Sequence, residues 1–75
     1  MRVDWDPLAL EDWRRLPFDE ARAVAVAIEA WAKTGEGLVV SVEIDEYMLF
    51  VGDLVVVFFL NHHTQTVTVW HERHT

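Results

Sequence analysis

The spacing of apolar residues changes twice along the chain. Met1, Val3 and Trp5 alternate with Arg2 and Asp4, the two-residue period of a short strand. Leu8, Leu10, Trp13 and Leu16 then recur at roughly helical spacing. They follow an Asp6-Pro7 start in which Asp can cap free N–H groups and Pro fits the first helical position. Pro17 breaks this helix, and Asp19 with Glu20 place negative charge at the start of a second one, favourably for its dipole. From Ala21 to Lys33 the chain is Ala-rich, with Val24, Ile28 and Trp31 as one apolar stripe, and Gly35 is the expected stop.

Beyond Gly35 the period returns to two. Leu38 to Ile44 alternates weakly, Tyr47 to Val51 and Leu54 to Leu60 are strand-like, and Gln65 to Glu72 alternates cleanly. Gly52-Asp53 suits a two-residue hairpin turn with Gly first, pairing Val51 with Leu54, Phe50 with Val55, Leu49 with Val56 and Met48 with Val57. A four-residue loop over Asn61 to Thr64 would pair Phe58 with Val67 and Val56 with Val69. Phe59, Val57 and Val55 would then lie beside Thr66, Thr68 and Trp70 on the opposite face. The prediction is a single α+β domain over residues 1–75: a short N-terminal strand, a two-helix hairpin, then an antiparallel meander of three to four strands.

This arrangement leaves a face uncovered. Two helices can cover Leu49, Val51, Leu54, Val56, Phe58, Val67 and Val69. No element remains for Met48, Phe50, Val55, Val57, Phe59 and Trp70. Burying a large apolar side chain is worth roughly 1.5 to 3 kcal/mol, so six wet ones forgo on the order of 10 kcal/mol. A contiguous patch of this kind marks an interaction surface. These six residues are the expected binding site for a partner chain or a second copy.

Composition and charge narrow the partner. With 75 residues, 52% of them hydrophobic and four Trp, the chain is globular rather than disordered. It has no cysteine, and its longest apolar stretch, Leu54 to Leu60, is far too short to span a bilayer; the expected location is the cytoplasm. The net charge is -7, and no Lys or Arg occurs from Thr34 to Glu72, whereas Glu36, Glu43, Asp45, Glu46, Asp53 and Glu72 are acidic. Nucleic-acid affinity rests on cations that neutralise phosphates, so the sheet half argues against a polyanionic partner.

The polar residues offer little catalytic chemistry. His71 and His74 are three apart, which on a strand points them to opposite faces, and His62 and His63 read as a solvated turn. No metal site is expected, because ligands must converge, and no cofactor is expected either. Glu43, Asp45 and Glu46 read as a solvated edge. Trp5, Trp13 and Trp31 suit packing between helices and sheet, while Trp70 is assigned to the interface beside Val55. A ribonuclease would have to use His71, Arg73 and His74 with His62 or His63, the histidines serving as general acid and base.

The order of elements and several strings resemble the RelE/ParE toxin superfamily of toxin-antitoxin systems. The matching pieces are VDWDPLALEDWRRL, DEARAVAVAIEAWAKTG, YMLFVGDLVVVFF and VTVWHERHT. The family pattern runs roughly Tyr-Arg-Leu-Arg-Val-Gly-Asp-Tyr-Arg-Val, and Tyr47, Leu49, Val51, Gly52, Asp53 and Val56 match it. RelE-like members cut messenger RNA on the ribosome, so the resemblance implies a RelE-like fold and an antitoxin partner. It does not imply the nuclease: Met48, Phe50 and Val55 stand where the Arg residues belong, and only Arg73 corresponds to a family cation. Losing one charge-stabilising donor costs roughly a hundredfold to a thousandfold in rate. The expected function is a toxin-like protein-binding module, paired with an antitoxin-like protein or with itself as a homodimer. The alternative is an active toxin of divergent mechanism, either a nuclease on the C-terminal His and Arg residues or a ParE-like topoisomerase inhibitor.

Overall fold

The computed structural model describes residues 1–75. Its elements are β1 (Arg2–Trp5), α1 (Pro7–Arg14), α2 (Phe18–Thr34), β2 (Leu38–Glu43), β3 (Glu46–Val51), β4 (Leu54–Asn61) and β5 (Thr66–His74). The α+β class is as expected, and one detail of topology is new. β1 does not stand apart from the meander but pairs in parallel with β5, giving a five-stranded sheet in the order β1-β5-β4-β3-β2. From β1 the chain passes through both helices, which lie together on one face of the sheet, to β2 at the opposite edge, and then returns strand by strand to β5.

The helix boundaries follow from local chemistry. Asp6 caps α1, its carboxylate accepting the Leu8 N–H at 3.1 Å, with Pro7 in the first turn. α2 begins after Pro17, carries Asp19 and Glu20 in its first turn, and ends at Gly35 in the left-handed conformation, whose N–H bonds Trp31 O at 2.8 Å. The Trp13 indole N–H donates to Ala21 O at 2.8 Å and ties the two helices together. The core between helices and sheet holds Ala9, Val24, Ile28, Leu49, Leu54, Val56, Phe58, Val67 and Val69. Around Phe58, Trp31 approaches to 4.6 Å and Tyr47 stacks at 5.6 Å, while Trp5 meets Trp13 at 5.7 Å. No helix is long and apolar enough to cross a membrane.

The β3–β4 hairpin has the expected register, with Val51 opposite Leu54 through Met48 opposite Val57. Gly52 carries the positive φ of the turn's first position. Gly37, at the entry to β2, has φ +137°, and a Cβ there would stand 2.8 Å from the Leu49 side chain and 3.7 Å from Trp31. Leu49 is buried, so its methyl can yield only against packed neighbours, and the positive φ strains any side chain there besides. Gly37→Ala is therefore expected to cost about 1–3 kcal/mol, read as a lower midpoint in urea with an unchanged slope.

Candidate functional site

The pairings sort side chains into rows across the face that the helices leave open. One row runs Leu38, Phe50, Val55, Arg73, and the next runs Val40, Met48, Val57, His71. A third runs Glu43, Glu46, Phe59, Thr68, Asp4. Trp70 lies over this face with its ring 5.5 Å from Phe59 and 6.2 Å from His71. The six residues assigned to a partner surface thus lie on one side of the sheet, opposite the helices.

They are not equally available. Val55 and Val57 occupy the central strand, and flanking side chains reduce them to 4% and 7% exposure. Met48 and Phe50 are half-buried, and Phe59 and Trp70 are exposed. The accessible apolar surface continues instead onto Leu38 and Val40, which the weak alternation of β2 did not single out. Their signal was present in the sequence, since Leu38 and Val40 fall two apart on the same parity as Phe50 and Met48 once β2 is paired with β3.

β5 departs from the expected register, for two local reasons. The turn into it spans His62 to Gln65 rather than Asn61 to Thr64. Asn61 is the last residue of β4, its side-chain oxygen accepting the N–H groups of His63 at 3.0 Å and Thr64 at 3.1 Å. Phe58 therefore faces Val69 instead of Val67, and Leu60 faces Val67. A bulge then interrupts the ladder between the Phe58–Val69 and Val57–His71 pairs. Trp70 consequently sits beside Phe59, not Val55, and Arg73 takes the place opposite Val55.

The bulge also reverses the facing of everything after it. Unbroken alternation from Val67 and Val69 would send His71 and Arg73 toward the helices and Glu72 outward. Instead His71 and Arg73 reach the open face, opposite Val57 and Val55, and Glu72 turns inward opposite Val56. Glu72 is 6% exposed, and neither carboxylate oxygen has a hydrogen-bond partner. Burial, with a smaller contribution from the Asp12 carboxylate, pushes its pKa from 4.5 up to about 7.

The histidines do not converge. His74 lies on the helix side, its Nε2 3.0 Å from a Glu20 oxygen, so it does not join His71 and Arg73 in one constellation. His62 Nε2 is 2.8 Å from Asp45 Oδ1, linking the β4–β5 turn to the β2–β3 turn. A shallow hollow of about 560 Å³ lies beside them, lined by Asp45, Phe59, Asn61, His62, His63 and Thr68 among others. No three metal-ligating side chains come together anywhere in the chain. On the open face, then, the cations are Arg73 and, at the β1 margin, Arg2, which bonds Asp4 at 3.3 Å.

No protein-family model and no curated protein matches the sequence. Solved structures do match in shape. The isolated E. coli RelE toxin superposes with a TM-score of 0.82 at 16% identity, covering 99% of this chain and 83% of that one. A chain of the intact E. coli RelBE toxin-antitoxin complex gives 0.81 at 15% identity, with 99% and 95% coverage. A chain of the archaeal RelE-RelB complex from Pyrococcus horikoshii OT3 gives 0.78 at 14%, with 97% and 92% coverage. Over nearly its whole length, the chain has the fold of the RelE toxins.

Proposed function

We propose that this chain is the RelE-like member of a toxin-antitoxin-type pair, that it lacks mRNA-cleaving activity, and that it works by binding another protein through the open sheet face. The observation that carries this reading is the chemistry of the face. Met48, Phe50 and Val55 fill its centre, where the resemblance to active relatives asks for arginines, and the exposed surroundings are Leu38, Val40, Phe59 and Trp70. A surface that handles phosphoryl chemistry needs cations or donors where charge develops, and here it is apolar with an acidic margin at Glu43 and Glu46. Structural neighbours of this chain include RelE proteins in complex with RelB antitoxins. An antitoxin-like partner is the occupant this reading assigns, and a second copy is the other way to cover the face.

One observation favours a second reading. His71 and Arg73 share the open face, two residues apart, where the imidazole of a divergent ribonuclease could move a proton and the guanidinium could stabilise phosphate charge. Induced expression in a bacterium separates the readings. The binding module is expected to leave growth unchanged and ribosome-bound messenger RNA intact. Arrest relieved by His71→Ala or Arg73→Ala would replace it with a nuclease, and arrest indifferent to both would point to inhibition by binding, as in ParE-like topoisomerase inhibitors. Light scattering across a concentration series distinguishes the occupants, since a dimer at every concentration would assign the face to a second copy.

A further inference from the structure

Arg73, Glu43 and Glu46 lie on the open face without an ion-pair partner in the chain; Arg73 and Glu43 are exposed and Glu46 is half-buried. They stand at opposite corners of the apolar field. Arg73, on β5, ends the row of Leu38, Phe50 and Val55, whereas Glu43 and Glu46, on β2 and β3, begin the row of Phe59 and Thr68. Neighbouring strands are about 4.8 Å apart and successive rows about 7 Å apart, so the field is a nearly square grid roughly 20 Å on a side.

A square field with opposite charge at two corners has few ways to meet a copy of itself. Two copies meeting through it are related by a two-fold axis in the plane of contact, and facing sheets pack either aligned or crossed at about a right angle. An axis along the strands sets the acidic row on the acidic row, with Glu43 beside Asp4 of the other copy. An axis across the strands presses Glu43 and Glu46 onto Leu38 and Phe50. The two diagonal axes cross the strands, and one of them sets Arg73 on Arg73 and Glu43 on Glu43. The other sets Arg73 of each copy over Glu43 and Glu46 of the other, with Trp70 on Phe59 and Leu38 on Leu38. This last arrangement alone joins opposite charges and apolar groups together.

The net charge of -7 opposes any self-pairing, but much of it is remote from this contact. Glu11, Asp12, Asp19, Glu20 and Glu29 ride on the helices, beyond the sheet and about a Debye length or more away at about 0.1 M salt. The field would bury on the order of 1,000 Å² between two copies, the lower limit for specific interfaces. That suits a weak, reversible pair. We infer that, when no other protein occupies the open face, two copies of this chain close over it in the crossed arrangement, Arg73 of each against Glu43 and Glu46 of the other. The inference rests on the protein-binding role proposed for this face and adds its regulation. Self-pairing and capture of another protein exclude each other, so the dimer is a resting state that a tighter-binding partner displaces.

Sedimentation equilibrium of the full chain over a wide concentration range tests this. The parent is expected to pass from monomer to dimer at roughly micromolar concentration. Arg73→Glu alone, and Glu43→Arg combined with Glu46→Arg, should each dimerise at least about tenfold more weakly, because each brings like charges together at both symmetric contacts. An equimolar mixture of the two variants should recover the parent's affinity, since both contacts then join opposite charges. Where Glu46→Arg disturbs the fold, Glu43→Arg alone serves, its side chain being exposed. A parent that stays monomeric throughout would overturn the inference and leave the face to another protein. Dimerisation undiminished by Arg73→Glu, or a mixture no tighter than its separate components, would overturn it by placing the pairing elsewhere or in another orientation. None of these outcomes depends on growth or messenger RNA, so failure here is distinct from failure of the proposed function.

Discussion

Glu72→Gln is expected to stabilise the protein by as much as about 3 kcal/mol above pH 8 and to change little below pH 4.5. In the folded state the Glu72 carboxyl is held between β5 and α1 with no hydrogen-bond partner, and its pKa rises from 4.5 to about 7. Between those values the folded chain keeps a proton that the unfolded chain has released. Stability therefore falls as pH rises through this window and levels off once both states are ionised. Urea titrations across pH should show this fall in the parent protein and a flatter profile in the variant. Asp12→Asn removes only the secondary cause, so it should shift the midpoint of the fall downward and leave most of the fall in place. A parent profile flat from pH 4.5 to 8 would mean that Glu72 finds a partner or water in solution. For a 75-residue domain, 3 kcal/mol is a large part of total stability, so this one carboxyl makes the fold sensitive to pH near neutrality.

Glu72 also marks where the sequence ceases to be legible. The helices, their caps, the Gly52 turn and the β3–β4 register follow from local signals: an Asp-Pro start, a Gly stop, and a hairpin whose two-residue loop fixes every pair. The β4–β5 connection has no such constraint. Several four-residue loops fit the same composition, and Asn61 chooses among them with two side-chain hydrogen bonds that no periodicity encodes. The bulge near Trp70 is harder still, because Gln65 to Glu72 alternates as an uninterrupted strand would. One inserted residue exchanges the facing of His71, Glu72 and Arg73, and with it the polar chemistry of the open face. The parallel pairing of β1 was equally hidden, since four residues carry no mark of the neighbour they will take.

Phe50→Lys is expected to abolish partner binding, or self-association where that is what covers the face, at a modest cost to the fold of about 1–2 kcal/mol. Phe50 is half-buried on the open face, between Leu38 and Val55 in its row, so an ammonium there can still reach water. Val57→Lys appears equivalent by alternation and is not. Val57 lies in the central strand between Met48 and His71 at 7% exposure, and a lysine there must bury its charge or push aside the row. That variant should lose several kcal/mol and unfold as a monomer, so its failure to bind would carry no information about the surface. Trp70→Lys is the better companion: Trp70 is 44% exposed and packs on Phe59 rather than into the core. Measured by pull-down with the partner and by thermal melting alone, Phe50→Lys and Trp70→Lys should both lose binding while still melting cooperatively. Undiminished binding by both folded variants would remove the apolar face from the interface.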